Sequence, residues 1–188
     1  SLALQSLSKL YLQRNHLGNV GLKQLVPALR PGLLPSLTEL HLAFNGIGDT
    51  GIAKFAAALG SGALPKLTQL NLSGNNIEDE GISALAQAAA APCTESAEAP
   101  SMDSKGSMSS AVRPMGKLKW LLLCGNQFGA GAGTALTTVL ASACCWPLLE
   151  QLHIGGGPLA QQAEPRAALD AAARKRPASC KPCFIDWS

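Results

Sequence analysis

The residues able to do chemistry in this 188-residue chain are few and scattered. Three histidines, His16, His41 and His153, are the candidates for proton transfer or metal ligation. Six cysteines stand at 93, 124, 144, 145, 180 and 183. Cys180-Lys-Pro-Cys183 has the C-x-x-C spacing of a redox dithiol or of half a zinc site. A redox motif belongs in a thioredoxin-like βαβ unit, which this stretch lacks. Zinc needs a second pair at proper spacing, and the adjacent Cys144 and Cys145 chelate poorly together. The pair therefore reads as two thiols without a special role, or as a local disulfide. Residues 129–133, Gly-Ala-Gly-Ala-Gly, open a helical stretch in the manner of a phosphate cradle. They lack the Lys-Ser/Thr of a P-loop, so a loosened turn is expected. There is no carboxylate pair and no nucleophile–base pair. The residues thus point away from an enzyme, with no cofactor, no metal and no small-molecule substrate.

What positions these residues is a repeat. Five segments align: Leu7-Ser-Lys-Leu10-Tyr-Leu12-Gln-Arg-Asn15-His-Leu17, Leu37-Thr-Glu-Leu40-His-Leu42-Ala-Phe-Asn45-Gly-Ile47, Leu67-Thr-Gln-Leu70-Asn-Leu72-Ser-Gly-Asn75-Asn-Ile77, Leu118-Lys-Trp-Leu121-Leu-Leu123-Cys-Gly-Asn126-Gln-Phe128 and a degenerate Leu149-Glu-Gln-Leu152-His-Ile154-Gly-Gly-Gly157-Pro-Leu159. Their first leucines are spaced by 30, 30, 51 and 31 residues. The second half of each unit is helical in period: Ile52, Phe55, Ala56 and Leu59 fall at i, i+3, i+4 and i+7. Leu22, Leu25 and Leu29, then Ile82, Leu85, Ala86 and Ala89, and more loosely Leu136, Val139 and Leu140, repeat that face. Gly-Asp-Thr-Gly at 48–51 and Glu-Asp-Glu-Gly at 78–81 put acidic or hydroxyl residues at helix starts, where free N–H groups want acceptors.

The units resemble the leucine-rich repeat, L-x-x-L-x-L-x-x-N-x-L, and their length of about 30 residues with a full helix is similar to the ribonuclease-inhibitor subtype. The resemblance implies an α/β fold, a right-handed leucine-rich-repeat solenoid in a horseshoe arc, with an inner parallel β-sheet and outer helices. Five repeats are expected over 1–173, followed by an irregular tail at 174–188. The composition agrees: aromatics are 4% of residues, and Leu and Ala about a third, so many similar small units must share the core. In this family the turn asparagine lies inward and satisfies backbone groups of adjacent coils, which assigns Asn15, Asn45, Asn75 and Asn126 to structure rather than catalysis.

The residues between the leucines face the concave surface. A first row holds Lys9, Glu39, Gln69, Trp120 and Gln151. A second holds Tyr11, His41, Asn71, Leu122 and His153. A third holds Gln13, Ala43, Ser73, Cys124 and Gly155. His41 and His153 share a row three strands apart, about 14 Å, too far to act on one atom. Trp120, Leu122 and Cys124 are together apolar on the fourth strand. They read either as a partner anchor or as a patch that the insert or tail folds back to cover. Five strands offer a footprint of only about 300–400 Å², against about 800 Å² per partner in a stable interface. Loops, the insert or a solenoid end must therefore contribute.

Residues 91–116 break the period with a Ser-, Pro- and Glu-rich stretch that cannot bury enough apolar area to order itself. A surface insertion is expected, with Thr94, Ser96 and Ser104 as ordinary modification candidates. Before the first strand stands only a stub, so a longer chain or a partner is expected to cover coil one. At the other end Arg174-Lys-Arg176 closes the last helix, and Phe184-Ile-Asp-Trp187 forms an apolar cluster expected to pack on the last coil or on a partner.

Apolar runs are far too short for a membrane span, so no direct insertion is expected. A net charge of +3 is too small and too scattered for nucleic acid. No secretory leader is visible and the scaffold needs no disulfides, which points to an intracellular setting, the cytoplasm first; the organelle stays open because the chain starts at Ser1 without Met. The functional expectation is a non-enzymatic protein–protein interaction module, an adaptor or structural subunit of a multi-subunit complex. Resemblance alone also brings in two alternatives. One is a regulator of a small GTPase, like the Ran GTPase-activating protein. The other is the sensor-repeat portion of an innate-immune-type receptor.

Overall fold

The computed structural model describes residues 2–90, 115–142 and 145–188. Cys93, Thr94, Ser96, Ser104, Cys144 and all of the insert up to residue 114 lie outside the described residues.

Each repeat makes one strand and one helix. The strands are three residues long: β1 Lys9–Tyr11, β2 Glu39–His41, β3 Gln69–Asn71, β4 Trp120–Leu122, β5 Gln151–His153 and β6 Phe184–Asp186. They form one parallel sheet in sequence order. The register is unbroken, Leu10↔Leu40↔Leu70↔Leu121↔Leu152↔Ile185. Because strand side chains alternate, this column faces the core while its neighbours face the opposite side. The extra residues of the third repeat do not shift the stack: β4 pairs with β3 as β3 pairs with β2. Met115, at the end of the expected insert, is already buried in the core.

Helices cover the other face: α1 Leu2–Gln5, α2 Gly18–Leu25, α3 Asp49–Gly60, α4 Asp79–Ala90, α5 Ala130–Ala141 and α6 Ala163–Arg174. In α3 and α4 the apolar positions read from the 3.6-residue period are the buried ones. The helix of the first repeat, α2, differs from the expected single face through Leu29. Pro27 has no N–H to give and crowds the preceding turn. α2 therefore stops at Leu25, and a 3₁₀ turn over Val26–Leu29 carries Leu29 into the core.

Coil one is the open end. Leu10, Leu12 and Leu17 are only partly buried, whereas their counterparts Leu40, Leu42 and Ile47 are fully enclosed. At the far end the structure corrects the expected irregular tail. Residues 184–186 are a sixth strand, with Ile185 continuing the leucine column at 8% exposure. The tail is pinned further by Arg176, whose guanidinium donates to the carbonyls of Leu149 (2.7 Å) and Trp146. Trp187 donates from Nε1 to Asp170 Oδ1 at 3.0 Å and lies under the Arg166 guanidinium, 4.8 Å from the ring centre. The basic run 174–176 is therefore in part a structural clasp.

After every repeat strand the backbone turns through the left-handed region. Gly74, Gly125 and Gly156 occupy that position with φ of 65°, 67° and 74°, as the absence of a Cβ allows. In coils one and two the same position holds Arg14 (φ 59°) and Phe44 (φ 55°), where a side chain costs about 1 kcal/mol or more.

Candidate partner-binding surface

Three of the four turn asparagines lie inward and bridge coils as expected; Asn15, in coil one, does not. Asn45, Asn75 and Asn126 are 1–2% exposed, and their amides bridge consecutive coils. Asn75 Oδ1 accepts from the N–H groups of Asn45 and Ile47, both at 3.0 Å, while its Nδ2 donates to the carbonyls of Leu42 and Leu72. Asn45 does the same one coil earlier, accepting from Asn15 and Leu17. Asn15 stands at the open end and is exposed; its Nδ2 donates only to the Gln13 carbonyl.

A second ladder runs along the helix starts, and it corrects the expected local capping. The acceptor at each start serves the next coil. Asn19 Oδ1 takes the N–H groups of Gly48 (2.7 Å) and Gly51 (3.2 Å). Asp49 Oδ1 takes that of Glu78 at 2.8 Å. Asp79 takes three: Gly129 (2.6 Å) and Ala132 (3.1 Å) on Oδ1, Gly131 (3.1 Å) on Oδ2. A Cβ at Gly131 would lie 2.6 Å from Asp79 Oδ2, so the carboxylate can approach only glycine there. The Gly-rich segment 129–133 thus has its amides filled by a carboxylate, which leaves no opening for a phosphate. Asp79→Ala strips these three amides of their acceptor at the positive end of α5 and is expected to cost about 2 kcal/mol. Urea unfolding measures this. Asp79→Asn, which mimics Asn19, is expected to recover most of the loss.

The inner wall divides into two halves. At the N-terminal end Lys9 Nζ meets Glu39 Oε1 at 2.7 Å, and Tyr11 donates its hydroxyl to Glu39 Oε2 at 2.8 Å. These bonds hold the Glu39 carboxyl below its usual range and raise both the Lys9 and Tyr11 pKa values. Tyr11 also meets His41 edge to face, ring centres 4.7 Å apart. Burial pushes the His41 pKa down, which favours the neutral ring, and its Nε2 is closed off without a hydrogen-bond partner among the described residues. Lys9 and Tyr11 are exposed, and Glu39, Gln69 and Asn71 are partly covered. The group is a tied polar cluster without a free base or nucleophile.

At the C-terminal end Trp120 is 36% exposed between Gln69 and Gln151, and Leu122 is half-buried between Asn71 and His153. Burial raises the Cys124 thiol above its usual pKa, which keeps it protonated and unreactive at neutral pH. His153 Nδ1 sits 2.9 Å from Asp186 Oδ2, and its Nε2 lies 3.2 Å from Gln151 Oε1. The two histidines of this row therefore have different local partners and lie three strands apart. The tail pairs along the far edge of β5, with β5 between it and Trp120, and Trp187 meets Asp170 and Arg166 of α6.

The sixth strand adds two residues to this wall that the repeat pattern did not place. Phe184 joins the first row and is 68% exposed; Asp186 joins the second. The out–in–out alternation of Phe-Ile-Asp was the available signal, but no L-x-x-L frame surrounded it. Arg14 and Phe44, on the rim, were also missed, because the repeat rule treats their position as spacer.

Among the described residues no group of three or more His, Cys, Asp and Glu is placed to hold a metal ion. No helix among them is long and apolar enough to cross a membrane.

Comparison with protein families matches the leucine-rich repeat at residues 3–26, 34–56 and 63–86, the first three coils. The six-strand parallel sheet with its alternating helices has the α/β architecture of a leucine-rich-repeat solenoid, which these three matched repeats support. No curated protein matches the chain.

Proposed function

We propose that this solenoid is a non-enzymatic binding module, an adaptor or structural subunit that grips a protein partner with its inner wall. The supporting observation is the apolar group at the C-terminal half of that wall. Trp120 and Leu122 project from β4, held on both sides by in-register strands, and Phe184 projects from the edge strand β6 in the row of Trp120. Aromatic side chains on a rigid scaffold bury large area at little entropic cost, which is what a binding anchor needs. Leucine-rich repeats generally mediate protein–protein contact, and the repeat length suits the ribonuclease-inhibitor-like subtype. An intracellular complex is part of this reading.

Six strands offer about 400–500 Å² of wall, still below the roughly 800 Å² per partner of a stable interface. The partner must therefore also touch the rim or an end of the solenoid. Trp120→Asp tests the reading. Partner capture by crosslinking and mass spectrometry from the native source is expected to fall at least about 30-fold, the loss of one anchor of 2 kcal/mol or more. The circular-dichroism melt is expected to stay within a few degrees of the parent. A large drop in melting temperature would show that Trp120 serves the core instead.

A further inference from the structure

Where the strands of coils one to three turn toward their asparagines, the rim encloses an open pocket of about 380 Å³ lined by Gln13, Arg14, His41, Ala43, Phe44 and Asn71. Its construction departs from the rest of the solenoid at one position. The left-handed turn residue is glycine in coils three to five but Arg14 and Phe44 in the first two, so two large side chains are carried at a strained position. Strained non-glycine residues cluster where a protein holds a side chain for use. The two are fitted to each other: the Arg14 guanidinium lies 5.2 Å from the centre of the Phe44 ring. They are also fitted to the next coil. A Cβ at Gly74 would stand 2.4 Å from the Phe44 ring, so the ring lies flat against bare backbone while remaining 53% exposed.

The pocket's chemistry is one-signed. Arg14 is its single charge and has no ion-pair partner among the described residues. Asn71 accepts the Ser73 N–H on Oδ1, which leaves Nδ2 to donate outward. Gln13 supplies a second side-chain amide. Among the described residues no carboxylate lines the pocket, and both oxygens of Glu39, the acid on the neighbouring strand, are taken by Lys9 and Tyr11. A guanidinium with its planar fork matches a carboxylate, and an aromatic face beside it matches an apolar group.

We propose that this rim pocket binds the carboxylate of an acidic residue in an exposed segment of a protein partner, the apolar residue next to it lying on Phe44. The proposal deepens the reading of the inner wall as a partner surface and rests on it. Its test isolates the pocket, whereas Trp120→Asp isolates the wall, so either can fail alone.

The probe is the blocked dipeptide N-acetyl-Leu-Glu-amide, titrated into the ¹⁵N-labelled full chain and followed by NMR at the Arg14 Nε–H and Asn71 side-chain amide. Saturable shifts are expected, with an affinity about tenfold above that for N-acetyl-Leu-Gln-amide. Arg14→Gln, at an exposed site, is expected to bring the two dipeptides to the same affinity. Phe44→Ala is expected to weaken both while keeping the preference for Glu. Lys54→Gln, an equal loss of charge on α3, is expected to change nothing. Equal binding of the two dipeptides, no saturation at their solubility limit, or the same loss from Lys54→Gln as from Arg14→Gln would each overturn the proposal.

Discussion

Asn75→Ala is expected to lower the stability of the solenoid by about 4 kcal/mol, while Asn15→Ala changes it by about 0.5 kcal/mol or less. The difference follows from what each removal leaves behind. Without Asn75 the Leu42 carbonyl still accepts from Asn45 Nδ2, and the Leu72 carbonyl still accepts from Asn126 Nδ2. The N–H groups of Asn45 and Ile47 have no such reserve, because Asn75 Oδ1 is the acceptor of both. Two buried donors are left unpaired at about 1–3 kcal/mol each. Asn15, at the exposed end, gives up only the bond from its Nδ2 to the Gln13 carbonyl. Urea denaturation of the two variants measures the contrast. Equal midpoints would mean that the asparagine column does not carry the coil-to-coil polar load.

Removal of residues 183–188 is expected to cost about 3–5 kcal/mol and to make the protein associate with itself. The strand lost with them buries Ile185 on the leucine column and anchors Trp187 between Arg166 and Asp170. One large apolar side chain taken from the core and one partly uncovered account for that range. The second effect comes from the backbone. The truncation strips β5 of its neighbour along its length, including the Glu150 carbonyl that accepts from Phe184 and the Ile154 N–H that donates to Asp186. β6 is itself an edge strand, but losing it also uncovers Leu152 of the leucine column, and an edge backed by bare apolar core is a template for another chain. Thermal melts and sedimentation across a range of concentrations read the two effects separately. A truncated chain that melts like the parent and stays monomeric would show that the last strand is only an ornament on a core complete without it.

The repeat pattern alone determined the main features of this protein: one strand and one helix per unit, the leucine column, the inward asparagines and which residues face the open wall. These were legible because each depends on a local period, two along a strand and 3.6 along a helix, and a period survives in the sequence however the chain is later stacked. Three features required the tertiary structure. Asp79 looks like the cap of its own helix, yet it takes three amides of a helix 50 residues on, because the offset between stacked coils sets its partner. Residues 184–186 become a strand because β5 presents an unfilled edge, a property of the sheet rather than of Phe-Ile-Asp. Arg14 and Phe44 form a pocket only because stacking sets one turn 4.8 Å or so above the next and Gly74 gives the ring room. The sequence carries the shape of one coil; the distance and slip between coils decide which side chains meet.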